Sequence, residues 1–242
     1  MKQSIETKYS FLINDIDIEK SYFGRAITED LKEQSRHFIM VVVGGRGSYI
    51  NSAISVIQLW GDNIYGGKAR RVELLKAPLY SDRVDPIDVV NTIVDCKIDY
   101  PNAIVVINNN GAGHGFEQLL DNKKISYEVV DWWKRSQNEQ SRKEFSNQRS
   151  QAYVSLARAI KTGRFKIRTN HLKSEIKNQA TSIAVDFDHN GRFKVLDKIS
   201  IKNMGGTPPD ILDHFAFAYL ESLQHSYLDD YPKKILASSL LG

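Results

Sequence analysis

The sequence is short of the residues that staple small folds. It has one cysteine, Cys96, so no disulfide can form within the chain and a cysteine-rich zinc cluster lacks its ligands. No apolar run approaches the roughly 18 residues of a membrane span, and the opening MKQSIETKYSF has no apolar signal core. An intracellular protein with no membrane partner is expected. No G-x-x-x-x-G-K-[ST] occurs, which excludes a P-loop motor from these residues. Internal repeats are also absent.

What is present is ordinary in bulk and uneven in detail. An apolar fraction of 41% with 26% charged residues is the balance of a domain that buries a core rather than of a disordered chain. The formal charge is only +4, yet residues 134–177 hold twelve basic residues against three acidic ones. That segment is where a polyanion would sit; the plainer alternative is a solvated helical face.

The chain divides into a polar N-terminal arm or linker (1–36), one domain (37–228) and a C-terminal tail (229–242), with some helix near Thr28 to Arg36. FIMVVV, from Phe38, reads as a strand buried on both faces and closed by the Gly-rich turn GGRGS. Strands at Ala53 to Leu59 and Arg71 to Leu75 follow as antiparallel neighbours. Asp85-Pro86 opens a helix with an apolar stripe at Ile87, Val90, Ile93 and Val94. AIVVIN (Ala103 to Asn108), a helix from His114 to Leu120 and a strand at Tyr127 to Val130 form a crossover unit that favours parallel pairing. A long helix is expected over Lys143 to Lys161, then a short strand at Phe165 to Arg168 and a helix near Leu172 to Asn178. Asn190-Gly191 turns a β-hairpin, and a helix from Pro209 to Leu223 closes the domain.

Four segments in this order resemble the C-terminal nuclease domain of tailed-phage large terminases. They are FIMVVV with GGRGS and SAISVI; IVVINNNGAGHGFEQLL; NQRSQAYVSLARAIKTGRFKI with the hairpin after it; and GGTPPDILDHFAFAYLE. The resemblance implies an α/β fold, a ribonuclease H-like mixed sheet flanked by helices, with an added β-hairpin. It also implies a DNA-packaging domain that binds double-stranded phage DNA and cleaves it by metal-dependent phosphodiester hydrolysis with Mg2+ or Mn2+, in the cytoplasm of the infected bacterium. Its further partners would be the portal, the ATPase motor domain or the small terminase subunit.

Two-metal hydrolysis needs carboxylates that hold the cations, position the water and steady the leaving oxygen. In the resembled family the acids lie on the first strand, on the strand after the first helix, and on the last helix. Here Val41, Val42 and Val43 fill the first position and Asn108 the second, while Asp213 matches the third, with Asp210 one turn before it. Asp213, Asn108 and Asp210 are therefore the candidate catalytic residues, and Asp213 and Asn108 the candidate metal ligands. Asn108 can offer a carbonyl oxygen but no charge. Asp131, Asp186 and Asp188 are candidate substitutes; the plainer alternative for Asp213 is a first-turn carboxylate favoured by the helix dipole, and for Asp210 a helix cap.

Arg46, Lys134, Arg135, Arg149 and Arg164 are the candidate DNA contacts, and Trp132-Trp133 could stack beside a strand. His114, His171 and His214 have no second ligand at a useful spacing and read as ordinary polar residues. With two acids missing, the alternative is a catalytically degenerate domain that grips DNA, or docks the portal or motor, without cutting. An interaction domain unrelated to DNA is the third possibility.

Overall fold

A computed structural model describes residues 9–44, 51–66, 68–108, 114–131, 133–136, 138–221 and 223. The segment expected as an arm is built into the fold from Ser10 onward. Strand β1 (Ser10–Phe11) joins a small sheet, and helix α1 (Asp15–Lys20) is capped by Asn14, whose Oδ1 accepts from Asp17 N at 2.8 Å. Helix α2 (Glu29–Lys32) is a single turn. Ile13, Ile18, Ala26 and Ile27 are buried, and the N–H groups of Ala26 and Ile27 both donate to Glu73 Oε1. These apolar residues are too sparse to make a period, yet each buried aliphatic side chain contributes about 1.5–3 kcal/mol. That is enough to fasten the segment to the body.

The central sheet then assembles in the expected order. It takes β2 (Arg36–Val42), β3 (Ser52–Trp60) and β4 (Arg71–Ser81), then, after helix α3 (Pro86–Asp99), β5 (Ile104–Asn108). Helix α4 (His114–Asn122) leads to β6 (Tyr127–Val130). Helices α5 (Glu139–Glu144) and α6 (Gln148–Lys161) precede β7 (Phe165–Ile167). The order across the sheet is β6-β5-β2-β3-β4-β7. β2 is antiparallel to β3 and parallel to β5, with Val42 opposite both Ala53 and Asn108, so the C-terminal ends of β2 and β5 lie side by side.

The apolar residues of β2 and the valine after it face both ways: Phe38, Met40 and Val42 enter the core shared with α6, and Ile39, Val41 and Val43 enter the core shared with α3. This two-sided burial is what a continuous apolar run demands. Asp85 caps α3 by accepting from Ile87 N at 2.8 Å. Asp85→Ala should therefore lower stability by about 1 kcal/mol in urea unfolding, the usual loss for an N-cap.

Two helices depart from expectation. The long helix expected over residues 143–161 is broken at Phe145, which is extended, buried and stacked on Phe193. Asn147 then starts α6 afresh by accepting from Ser150 N. After β7 come α7 (Lys173–Thr181), the hairpin strands β8 (Ala184–Phe187) and β9 (Phe193–Val195), a short helix α8 (Lys198–Asn203) and α9 (Asp210–Phe217). The hairpin pairs with β1 rather than with the central sheet, and Gly191 supplies its left-handed turn residue at φ +72°. Helix α9 stops at Phe217 because the carbonyls of Ala218, Leu220 and Leu223 turn to the buried guanidinium of Arg70.

Candidate functional site

The first turn of α9 has no ordinary cap. Pro209 precedes it without a capping side chain, and the N–H groups of Ile211 and Leu212 donate instead to Oε1 of the buried Gln179 on α7. Gln179 is fixed in turn by donating Nε2 to Tyr80 OH and Glu175 Oε1. Asp210 Oδ2 accepts from Asn51 N at 3.0 Å and from Asn51 Nδ2 at 2.8 Å. Asn51 leads into β3 beside the end of β2, so the start of α9 sits at the C-terminal end of the central strands.

Asp213 is fully buried, and Asp210 is 1% exposed. Between them lies the ammonium of Lys198, with Nζ 2.7 Å from Asp210 Oδ1 and 2.6 Å from Asp213 Oδ2. Tyr153 OH, on α6, donates to Asp213 Oδ1. Burial raises the Asp213 pKa, an effect opposed by Lys198 and Arg149. Burial also works against the Lys198 charge, but Asp213 and Asp210 outweigh it and hold that pKa above the ordinary lysine value. Tyr153 is pushed well up, by burial first and by Asp213 second, so its hydroxyl remains a donor. The arrangement is a closed ion-pair network.

Lys198 was not among the residues singled out from the sequence. It is the first residue of α8, whose N-cap Asp197 accepts from Ser200 N at 2.8 Å. The start and stop signals of that helix were legible as Asp197 and Gly205-Gly206, but six residues are too few to display a period. Tyr153 stands at helical spacing with Leu156, Ala157 and Ile160, so the sequence marks it only as part of an apolar stripe.

The other expected site residues scatter. Asn108 is half-buried, in register with Val42. Arg149, expected at the DNA surface, is corrected to an interior position: it is 2% exposed and donates to Val195 O and Leu196 O, because α6 is enclosed on nearly all sides. Arg164 is half-buried, donating to Thr162 Oγ1 and Arg70 O. Lys134 and Arg135 are exposed, and Lys134 pairs with Asp131 at 3.1 Å. Asp188 is held by Arg192, whose side-chain hydrogen bond draws its pKa down to about 2, and Asp186 Oδ1 accepts from Phe187 N. Trp133 is half exposed, with the Arg149 guanidinium 5.9 Å from its ring centre. Arg46, Asn109, Asn110 and Trp132 lie outside the described residues, as does the side chain of His114.

His171 is exposed, whereas His214 is fully buried, with Nδ1 2.9 Å from Ser55 Oγ. Burial drives its pKa down to about 3, so it is a neutral packing residue.

The donor set does not fit a two-metal centre. Among the described residues no three of His, Cys, Asp and Glu cluster so as to hold a metal. The oxygens of Asp210 and Asp213 are engaged by Asn51, Tyr153 and Lys198, and the valines at the end of β2 contribute no ligand atom.

No family model and no curated protein matches the sequence. Solved structures do. The nuclease domain of the large terminase subunit gp2 of bacterial virus Sf6 is similar at TM-score 0.61 and 13% identity, covering 87% of this chain and 98% of that one. The large terminase nuclease of thermophilic phage G20c, solved with bound magnesium, is similar at 0.52 and 16% identity, covering 86% and 96%. The large terminase nuclease domain of Thermus phage P74-26 is similar at 0.50 and 16% identity, covering 87% and 94%. A lysine-to-alanine mutant of the Sf6 domain has also been solved with manganese. The described sheet, helices and α9 thus have the ribonuclease H-like fold of large terminase nuclease domains.

Proposed function

We propose that the chain is a nuclease-type domain of a phage DNA-packaging terminase and that it engages double-stranded DNA. The observation that carries this reading is coverage: the likeness spans nearly the whole of each terminase nuclease domain. The work of such a domain lies in the infected host's cytoplasm, beside a motor domain, portal or small subunit. No helix among the described residues is long and apolar enough to cross a membrane.

The exposed Lys134 and Arg135 at the end of β6 supply part of the surface for DNA. Several other basic residues of the 134–177 segment are already matched, as in Arg158–Glu144 and Lys173–Glu19. Such exposed pairs are weak enough for phosphates to displace, each worth about 0–1 kcal/mol.

A second reading, metal-dependent cleavage, is favoured by one observation: Asp213 on the last helix stands at the end of the central strands, where this reaction needs an acid. Mg2+ or Mn2+ would be the cofactor. Both readings are tested together. Affinity for duplex DNA should fall linearly in log–log form with salt, and a flat dependence would remove DNA as the ligand. In the same buffers with Mn2+ or Mg2+, plasmid nicking by the wild type that disappears in Asp213→Asn would establish cleavage.

A further inference from the structure

Charge has to balance inside this site as in any other buried place. The described acids at the start of α9 are Asp210 and Asp213, and each places one oxygen on Lys198. Their remaining oxygens accept from Asn51 and Tyr153. Val42 and Val43, at 3% exposure, present hydrocarbon where the family resemblance implies an acid, and Asn108 is uncharged. A divalent ion entering this network would have to displace an ammonium already held at 2.6–2.7 Å by both carboxylates.

We propose that Lys198 is the resident cation of this site, occupying with its ammonium the place between Asp210 and Asp213 that a divalent metal would need. The side chain is delivered by architecture rather than by chance. Asp197 fixes the first turn of α8 through Ser200 N and Oγ, and Ile201 buries the inner face of that helix. Gly206 lets the following loop close against Ile201, since a Cβ there would meet its Cγ2 at 3.0 Å. The ammonium tethers the last helix to the segment after the hairpin, as a bound ion would, and leaves the domain independent of metal for its structure.

The inference rests on the terminase-type reading only for the expectation that a metal belongs there, and its test is a metal titration that needs no DNA. Mn2+ is titrated into the full chain and followed by electron paramagnetic resonance, alongside the melting temperature with and without Mn2+. The wild type should give no saturable binding and no thermal shift. Lys198→Ala should acquire one Mn2+ site and a melting temperature that rises with Mn2+. Even two unit charges about 4 Å apart repel, at a protein's effective dielectric, by the equivalent of roughly a thousandfold in affinity, so removing an ammonium from the ion's own place strengthens binding by at least that order. Lys198→Met keeps the aliphatic stem and should behave likewise, so poor folding of the alanine variant does not spoil the experiment. Saturable Mn2+ binding by the wild type that is lost in Asp213→Asn would overturn the proposal, as would failure of both folded variants to gain the ion. Loss of salt-dependent DNA binding with the metal results as expected would remove the DNA reading and leave this one standing.

Discussion

Asp213→Ala is expected to lower the unfolding free energy by about 3 kcal/mol, the lower end of what breaking a buried ion pair costs. The direction is the informative part. In a cluster of carboxylates awaiting a metal, deleting one acid relieves repulsion and leaves the empty domain as stable or more so. Here the carboxylate is fully buried against an ammonium and a phenol, so its loss strands Lys198 on Asp210 alone and leaves Tyr153 OH without its carboxylate acceptor. Urea unfolding checks it, with the midpoint falling and the slope unchanged. A double-mutant cycle with Lys198→Met isolates the pair, and additivity of the two changes would show that no coupling exists.

Acidification is expected to remove more stability still, through His214. Its folded pKa lies near 3, against about 6.5 when unfolded, because the ring is buried, with Nδ1 beside Ser55 Oγ, and the Lys198 charge also opposes its protonation. The unfolded chain therefore binds a proton that the folded one refuses, and stability falls as pH drops from about 6.5 towards 3. The full shift corresponds to about 5 kcal/mol as an upper bound, at 1.36 kcal/mol per unit. Chemical unfolding at successive pH values should show the slope, and His214→Gln should flatten it. A slope unchanged in that variant would assign the acid loss to other groups. The raised pKa of Asp213 acts in the opposite sense, since its folded form takes up a proton more readily than the unfolded chain and so eases the same decline.

The central strands were legible because their burial on both faces writes itself as a continuous apolar run. Val42 and Asn108, at the ends of two such strands, are in register. The hairpin was legible from Asn190-Gly191. What the sequence hid has a common cause: polar residues buried by specific partners carry no periodic mark. Arg149 and Gln151 sit inside a helix enclosed on nearly all sides, so the rule that charge faces solvent placed Arg149 wrongly. Asp213 was found by position in a family pattern and Asp210 as the acid one turn before it, but Lys198, which lies between them, sits in a helix too short to be noticed. Glu73 likewise binds Ala26 and Ile27 from far along the chain, which is how a supposed arm became part of the body.

Arg70 sets a timetable as well as a shape. Its guanidinium waits in the loop before β4 for carbonyls that lie 148 to 153 positions downstream. Long-range closures of this kind are slow and come after local structure. During synthesis the sheet can be laid down strand by strand, but the clasp closes only once Leu223 has left the ribosome. The pairing of α9 with the strand ends is therefore a late event, and a chain interrupted upstream of Asp210 would carry the platform with no acids on it.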